Sequence, residues 1–191
     1  NAGITLNHRN KKMNIFGNYN YGYRENLNHL LLDRNFFTDG VFSGADRKDN
    51  YTKAPFSSHA TRFGADFFPG KKTIVGFVVS ANFNRFRRNN DNSSVVIDDQ
   101  HEELSTFRTN ATNKDHFRNV VANINFKHTF DSTGREITAD VDYGVYRNGS
   151  LSRTATKYFN LDGTMEKPDY ILEGDQDGKL TLKTAKIDYV N

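Results

Sequence analysis

Three segments of the chain alternate apolar and polar residues over ten or more positions, and each follows a short turn. The segments are 13–23, 73–83 and 137–146, and the turns that precede them are 10–12, 69–72 and 131–135. Successive side chains of a β-strand point to opposite faces, so this alternation predicts strands with one apolar and one polar face. Short turns at one end and long polar segments at the other are typical of a transmembrane β-barrel. The pattern therefore indicates an all-β, antiparallel fold.

The predicted strands have the length that a bilayer requires. About eleven residues at roughly 3.3 Å each, tilted near 45°, rise about 25 Å, which matches the apolar band of outer-membrane barrels. Strands of soluble domains usually contain about 5–6 residues. The length of the alternating segments thus favours a membrane barrel over a soluble sandwich.

The whole chain is predicted to form an antiparallel meander of about seven strands. The four further strands are predicted over 3–8, 59–68, 117–130 and 179–189. Glycine, proline, asparagine and aspartate predict long loops over 25–58, 89–94 and 161–178. An odd strand number does not suit a closed bacterial barrel, which has an even number. We therefore expect one domain, 1–191, that is a partial outer-membrane β-barrel without a plug or a TonB box.

The alternation assigns individual side chains to the two faces of the sheet. We predict that the apolar set faces lipid: Val75, Phe77, Val79, Ile137, Ala139, Val141, Tyr143 and Val145. We predict that the polar set faces the barrel lumen: Asn82, Asn84, Asn123, Asn125, Asp140 and Asp142. Tyr19, Tyr21, Tyr23, Phe83 and Tyr143 share the apolar parity and are expected at the water–lipid interface, where amphipathic rings are favoured.

Composition excludes several other classes of protein. Aromatic residues make up 13% of the chain, which is too many for a disordered protein. No apolar run is long enough for a membrane-spanning helix. The net charge of +3 is low for a nucleic-acid-binding protein. The one dense basic cluster, Arg85, Arg87 and Arg88, is interpreted as the solvated root of a loop, with a phosphate-binding patch as the alternative.

The sequence contains no pattern that predicts catalysis or a cofactor. Its six histidines are scattered and it has no cysteine, so neither a metal site nor a thiol nucleophile is expected. The segments 160–163 and 175–178 weakly resemble calcium-binding loops. Asp-Gly is also a common turn dipeptide, and we interpret both segments as turns, with Ca²⁺ binding as the alternative.

Three parts of the chain resemble a known family. The segments 6–24, 59–76 and 170–191 are similar to the barrel of TonB-dependent outer-membrane receptors of Bacteroidetes. The resemblance implies a barrel of about 22 strands with a plug inside it, located in the bacterial outer membrane and used for nutrient uptake. It implies outer-membrane lipid, the remainder of the barrel, the plug, TonB and a surface lipoprotein as partners.

Two classes of function remain open from the sequence. The chain is either a segment of a TonB-dependent transporter barrel or a soluble all-β module that binds a ligand such as a glycan. In the first case we expect the isolated fragment to self-associate, because its edge strands and its apolar face are open to another copy. A soluble module would instead be a monomer without detergent.

Overall fold

The computed structural model describes residues 1–131 and 134–191, and these residues form seven β-strands and no helix. The strands are β1 (Ala2–Arg9), β2 (Met13–Thr38), β3 (Val41–Gly70), β4 (Thr73–Ile97), β5 (Glu103–Thr129), β6 (Glu136–Phe159) and β7 (Met165–Val190). They form one antiparallel sheet in the order of the chain, with β1 and β7 at its edges. The all-β meander of seven strands is therefore confirmed.

The strands are much longer than the sequence predicted. The predicted loop over 25–58 is wrong, because β2 and β3 pair through it from Glu25 to the hairpin tip. The predicted loop over 89–94 lies inside β4, and most of the loop predicted over 161–178 lies inside β7. Polar side chains occupy both faces of these extensions, so the sequence there lacks the alternation that reveals a strand with one apolar face.

A two-residue turn closes the hairpin between β2 and β3. Asp39 and Gly40 have φ angles of 52° and 80°, and Thr38 pairs with Val41 on either side of them. Two successive positive φ angles define a type I′ turn, which matches the right-handed twist of paired strands and favours Asp-Gly. The dipeptide is thus the tip of a long hairpin.

The opposite end of the sheet has short turns, as predicted. Asn10 organises the first, since its side-chain oxygen accepts hydrogen bonds from the backbone N–H groups of Lys12 and Met13 at 2.8 and 2.9 Å. This is the usual reason for asparagine in a turn. Lys71 and Lys72 form the second turn. In the predicted turn over 131–135, Ser132 and Thr133 lie outside the described residues, and Arg135 forms an ion pair with Asp131.

The sheet is a single layer. Within the described residues, each strand contacts only the strands that precede and follow it along the chain. The buried apolar residues are mostly alanines, which lie between larger side chains of neighbouring strands. The sheet therefore has no conventional core beneath it, and its packing consists of contacts between side chains on the same face.

One such contact fills the space above a glycine. The ring of Phe16 crosses over Gly64 on the neighbouring strand, and a Cβ at Gly64 would lie 2.8 Å from Phe16 Cε2. The guanidinium of Arg62 lies 6.0 Å from the centre of the same ring. The aromatic ring thus provides the contact that glycine cannot make and fixes the local pairing of β2 with β3.

Candidate functional site

The register of the strands brings many apolar residues, from all seven strands, onto one face. Residues that pair directly across neighbouring strands point to the same face. Phe77, for example, pairs with Ala65 on one side and Ile124 on the other, and Ile124 pairs with Val141. We call the resulting surface the apolar belt. It comprises Ile4, Leu6, Met13, Ile15, Tyr19, Tyr21, Phe63, Ala65, Phe67, Val75, Phe77, Val79, Ala81, Phe83, Val120, Ala122, Ile124, Phe126, Ile137, Ala139, Val141, Tyr143, Val145, Ala185, Ile187 and Tyr189.

The apolar belt contains every residue that was predicted to face lipid. No other part of the described chain covers it, since the sheet has only one layer. Val75, Val141 and Tyr143 expose 36%, 53% and 49% of their surface. A contiguous apolar surface of this extent is unusual on a monomeric soluble protein and indicates contact with lipid or another protein.

The apolar belt lies next to the end of the sheet that contains the turns at 10–12 and 71–72, which we call the short turns, and far from the other end. On β4 it runs from about Thr73 to Phe83, and the strand then continues to Ile97. At roughly 3.3 Å per residue, the belt follows about 35 Å of strand and the extension adds about 45 Å. The two ends of the sheet therefore differ strongly in how far they extend beyond the belt.

The edge strand β7 interrupts the apolar belt. Lys183 pairs with Tyr143 and shares its face, and its ammonium group lies 6.0 Å from the centre of the Tyr143 ring. Thr181 lies on the same face, beside Val145. This mixture explains why the alternation of β7 is the least regular of the predicted strands.

The opposite face at the level of the apolar belt carries fewer apolar residues and a hydrogen-bonded polar cluster. Asn123 donates a hydrogen bond to Asp142 at 2.8 Å, and Thr184 donates another to the second oxygen of Asp142, also at 2.8 Å. Asn125 donates to Asn123 at 3.1 Å and pairs in register with Asp140. The four residues predicted for the lumen on β5 and β6 thus lie together on one face.

The two remaining residues of the predicted lumen set lie further along the same face. Asn82 pairs with Asn119, and Asn84 pairs with Phe117, at increasing distance from the short turns. They continue the polar surface and take no part in the hydrogen-bonded cluster around Asp142.

Aromatic and histidine side chains meet at the border of the apolar belt that is remote from the short turns. The hydroxyl of Tyr19 lies 2.7 Å from His59 Nδ1, and the ring of Tyr21 lies 5.0 Å from the His59 ring. Phe83 pairs with His59 on the next strand. Tyr143 lies elsewhere, since it pairs with Ala122 in the middle of the belt. Its expected position at the water–lipid interface stays a prediction.

Basic side chains replace apolar ones on the same face immediately beyond this border. We call this cluster the basic row. It comprises Arg85, Arg87, Lys114, Arg118, Arg147 and Lys179, all of them exposed. Arg118 pairs directly with Arg147, and Arg147 pairs directly with Lys179, so three positive charges follow one another across neighbouring strands.

The basic row corrects the interpretation of the arginines in the sequence. Arg85 and Arg87 lie inside β4 and not at the root of a loop. Arg88 points to the opposite face, where its guanidinium lies 5.3 Å from the centre of the Phe86 ring. Sequence reasoning missed Lys114, Arg118, Arg147 and Lys179 because they come from three other strands. Aligning the strands outward from their short turns would have revealed them.

The cations of the basic row have no acidic partner in the part of the chain that the structure describes. Several cations further from the short turns have one: Lys53 pairs with Glu25 at 3.1 Å, and Arg153 pairs with Glu173 at 3.0 Å. Two like charges about 6 Å apart repel by about 0.7 kcal/mol in water and about 2.8 kcal/mol at an effective dielectric constant near 20. The basic row thus concentrates positive charge that no ion pair among the described residues compensates.

Two shallow clefts lie at the basic row. One has a volume of about 380 Å³ and the other about 320 Å³, and both are lined by Ser57, Arg85, His116 and Arg118. On the same face, Asp177 of the edge strand β7 approaches His116 above Gly149. The clefts are open to solvent and present guanidinium groups on their rims.

The other predicted candidate sites form structural contacts. Residues 160–164 form the turn before β7, in which Asp162 accepts hydrogen bonds from the hydroxyl of Thr164 at 2.6 Å and from its N–H at 2.9 Å. These two hydrogen bonds lower the pKa of Asp162 from its ordinary value of 3.8, and the bond from the hydroxyl has the larger effect. The segment 175–178, expected to be a turn, lies within β7. Among the described residues, histidine and carboxylate side chains form no group that could hold a metal ion.

Comparisons with protein-family models and with curated proteins found no match to this chain. No helix among the described residues has the length and apolar character needed to cross a membrane.

Proposed function

We propose that this chain is a segment of the wall of a bacterial outer-membrane β-barrel, in contact with lipid on its apolar belt and with the barrel lumen on its polar face. The observation that carries the proposal is the apolar belt, which no second layer of the described residues covers. At a tilt near 45° its length along the strand corresponds to a height of about 25 Å, the height of the apolar band of outer-membrane barrels.

The asymmetry of the sheet supports the same function. Outer-membrane barrels have short periplasmic turns and longer extracellular segments. Here the short turns adjoin the apolar belt, whereas β2 and β3 continue far past it to the Asp39–Gly40 turn. We therefore assign the short turns to the periplasmic side and the strand extensions to the extracellular side.

The polar face and the sheet edges support a barrel of larger size. The cluster of Asn123, Asn125, Asp140 and Asp142 would face water, as the inner surface of a wide barrel does. In this chain β1 and β7 pair on one side only. Further strands would complete them, because an open edge within a membrane leaves backbone groups without hydrogen bonds.

The family resemblance supplies the finer part of the proposal. It suggests a TonB-dependent receptor of about 22 strands that imports a nutrient, with the plug, TonB and a surface lipoprotein as partners. In such a receptor this chain would form about a third of the barrel, and solute specificity would depend on parts beyond the seven strands described here.

A pair of tryptophan substitutions tests the position of the apolar belt. The chain has no tryptophan. Of two neighbouring residues, Val120 points to the belt and Val121 points to the polar face. Each single variant, Val120→Trp or Val121→Trp, is reconstituted in phosphatidylcholine vesicles whose acyl chains carry bromine, a contact quencher. We expect strong quenching at position 120 and little at position 121.

The result also separates the barrel from a soluble binding module. A soluble module would remain outside the vesicles, and neither tryptophan would be quenched. Equal quenching of both tryptophans would contradict the assignment of the two faces and refute the proposal.

A further inference from the structure

The basic row occupies a position at which lipid head groups would meet the sheet. It lies on the same face as the apolar belt, and Arg118 follows Val120 by a single step along that face of β5. If the apolar belt contacts acyl chains, a charged group on this face two residues beyond the belt lies about 7 Å further along the strand. Such a group is within reach of the polar heads of the same lipids.

The cations of this row form no ion pair among the described residues, whereas several cations elsewhere on the sheet have a partner. On the polar face, Arg24 and Arg62 each lie over an aromatic ring, at 4.8 and 6.0 Å from its centre. On the belt face further from the turns, Lys157 lies 3.9 Å from Asp169. By contrast, Arg118, Arg147 and Lys179 lie side by side and form no ion pair with a carboxylate among the described residues. An external anion would relieve their mutual repulsion.

We propose that the basic row binds the phosphate groups of an anionic membrane lipid whose acyl chains lie along the apolar belt. This inference rests on the proposed membrane location of the belt. Guanidinium groups bind phosphate through two parallel hydrogen bonds, and arginine supplies four of the six cations in the row. The clefts between Arg85, His116 and Arg118 give the head group space at the surface. The positive charge of the basic row thus complements the phosphate of the lipid, and the apolar belt complements its acyl chains.

The extracellular and periplasmic ends of the apolar belt would then differ in lipid preference. The basic row lies on the side of the belt that we assign to the extracellular leaflet. Its cations would select phosphorylated lipids in that leaflet, and the selection would fix how deep the sheet sits in the membrane.

Vesicle partitioning tests the proposal, with Val120→Trp as the reporter in every protein. The test variant carries Arg118→Gln, Arg147→Gln and Lys179→Gln. The control variant carries Arg24→Gln, Arg62→Gln and Arg88→Gln, which remove the same charge from the opposite face. Partitioning is measured into brominated phosphatidylcholine vesicles with and without phosphatidic acid.

We expect the parent protein and the control variant to prefer the vesicles that contain phosphatidic acid. Each basic residue near an anionic membrane contributes roughly fivefold to partitioning, so the test variant should lose about a hundredfold of that preference. Circular dichroism of both variants checks that the sheet is retained. Inorganic phosphate at the concentration of the lipid phosphate, and at constant ionic strength, should leave the preference unchanged.

The possible failures are distinguishable. If the tryptophan is quenched in both kinds of vesicle with no preference for phosphatidic acid, the lipid site is refuted and the membrane location stands. If the control variant loses as much preference as the test variant, total charge accounts for binding and the site is refuted. If inorganic phosphate abolishes the preference, the ligand is a free anion and the lipid proposal is wrong. If the tryptophan is quenched in neither vesicle, both proposals fail.

Discussion

Replacement of two neighbouring valines by arginine should have very different effects in a membrane. Val78 and Val79 lie near the middle of β4, at the level of the centre of the apolar belt. Val79 points to the belt, beside Phe63 and Ala122, and Val78 points to the polar face, beside Gly64 and Asn123. The two positions share depth, strand and residue type, so they differ chiefly in the medium that the side chain meets.

The expected magnitudes follow from this geometry. An arginine on the lipid face near the bilayer midplane costs about 2–4 kcal/mol, whereas lumen-facing substitutions are far better tolerated. In water the same Val79→Arg change should cost less than about 1 kcal/mol, because Val79 is already 37% exposed and the arginine stem can cover its neighbours. A large difference between the two variants is therefore specific to a lipid environment.

Urea unfolding of the vesicle-reconstituted chain, followed by circular dichroism, measures both effects. With a slope of about 1–3 kcal/mol per molar urea, a cost of about 3 kcal/mol lowers the unfolding midpoint by about 1–3 M. Val79→Arg should show this shift in vesicles, and Val78→Arg should remain close to the parent protein. Equal midpoints for the two variants, or the reverse order, would show that the belt does not face hydrocarbon.

Two further predictions concern the sheet itself. Gly64→Ala places a methyl group 2.8 Å from Phe16 Cε2 and 2.9 Å from the Phe77 carbonyl oxygen. We therefore expect the free energy of unfolding, measured in urea, to fall by about 1–3 kcal/mol. A second change, Phe16→Leu, should restore only part of this stability, because the carbonyl cannot move aside. Thr164→Val removes the main hydrogen bond that lowers the pKa of Asp162, so an NMR titration should show that pKa rising towards 3.8. In the parent protein this hydrogen bond stabilises the folded state at pH values above the ordinary aspartate pKa, and the contribution is lost as the pH falls through the lower pKa of the folded state. An unchanged Asp162 pKa in the variant would contradict the assigned cause.

The sequence predicted the strands where their two faces meet different surroundings. In the segment 137–146 every second residue is apolar, because one face belongs to the belt and the other to the polar surface. In the segment 25–38 both faces are exposed and carry polar and apolar residues without order. A strand of that kind has no periodic signature, so the length of β2 could not be read from its composition.

The basic row could not be recognised from local sequence for a related reason. Arg85 and Arg87 were visible as a cluster, but Arg118, Arg147 and Lys179 are isolated residues along the chain. Only the pairing of β4 to β7 brings them side by side. The faces of individual strands are thus encoded locally, whereas a surface that crosses several strands depends on their register.

Because every strand in the described part of the chain contacts only its neighbours along the sequence, these strands are organised as a one-dimensional series of hairpins. Inserting or removing a complete hairpin would change the width of the sheet while leaving the alignment of the remaining pairs intact. If the sheet belongs to a barrel, as proposed, this organisation allows barrels of different width to arise by duplication of one hairpin, because there is no shared interior to repack.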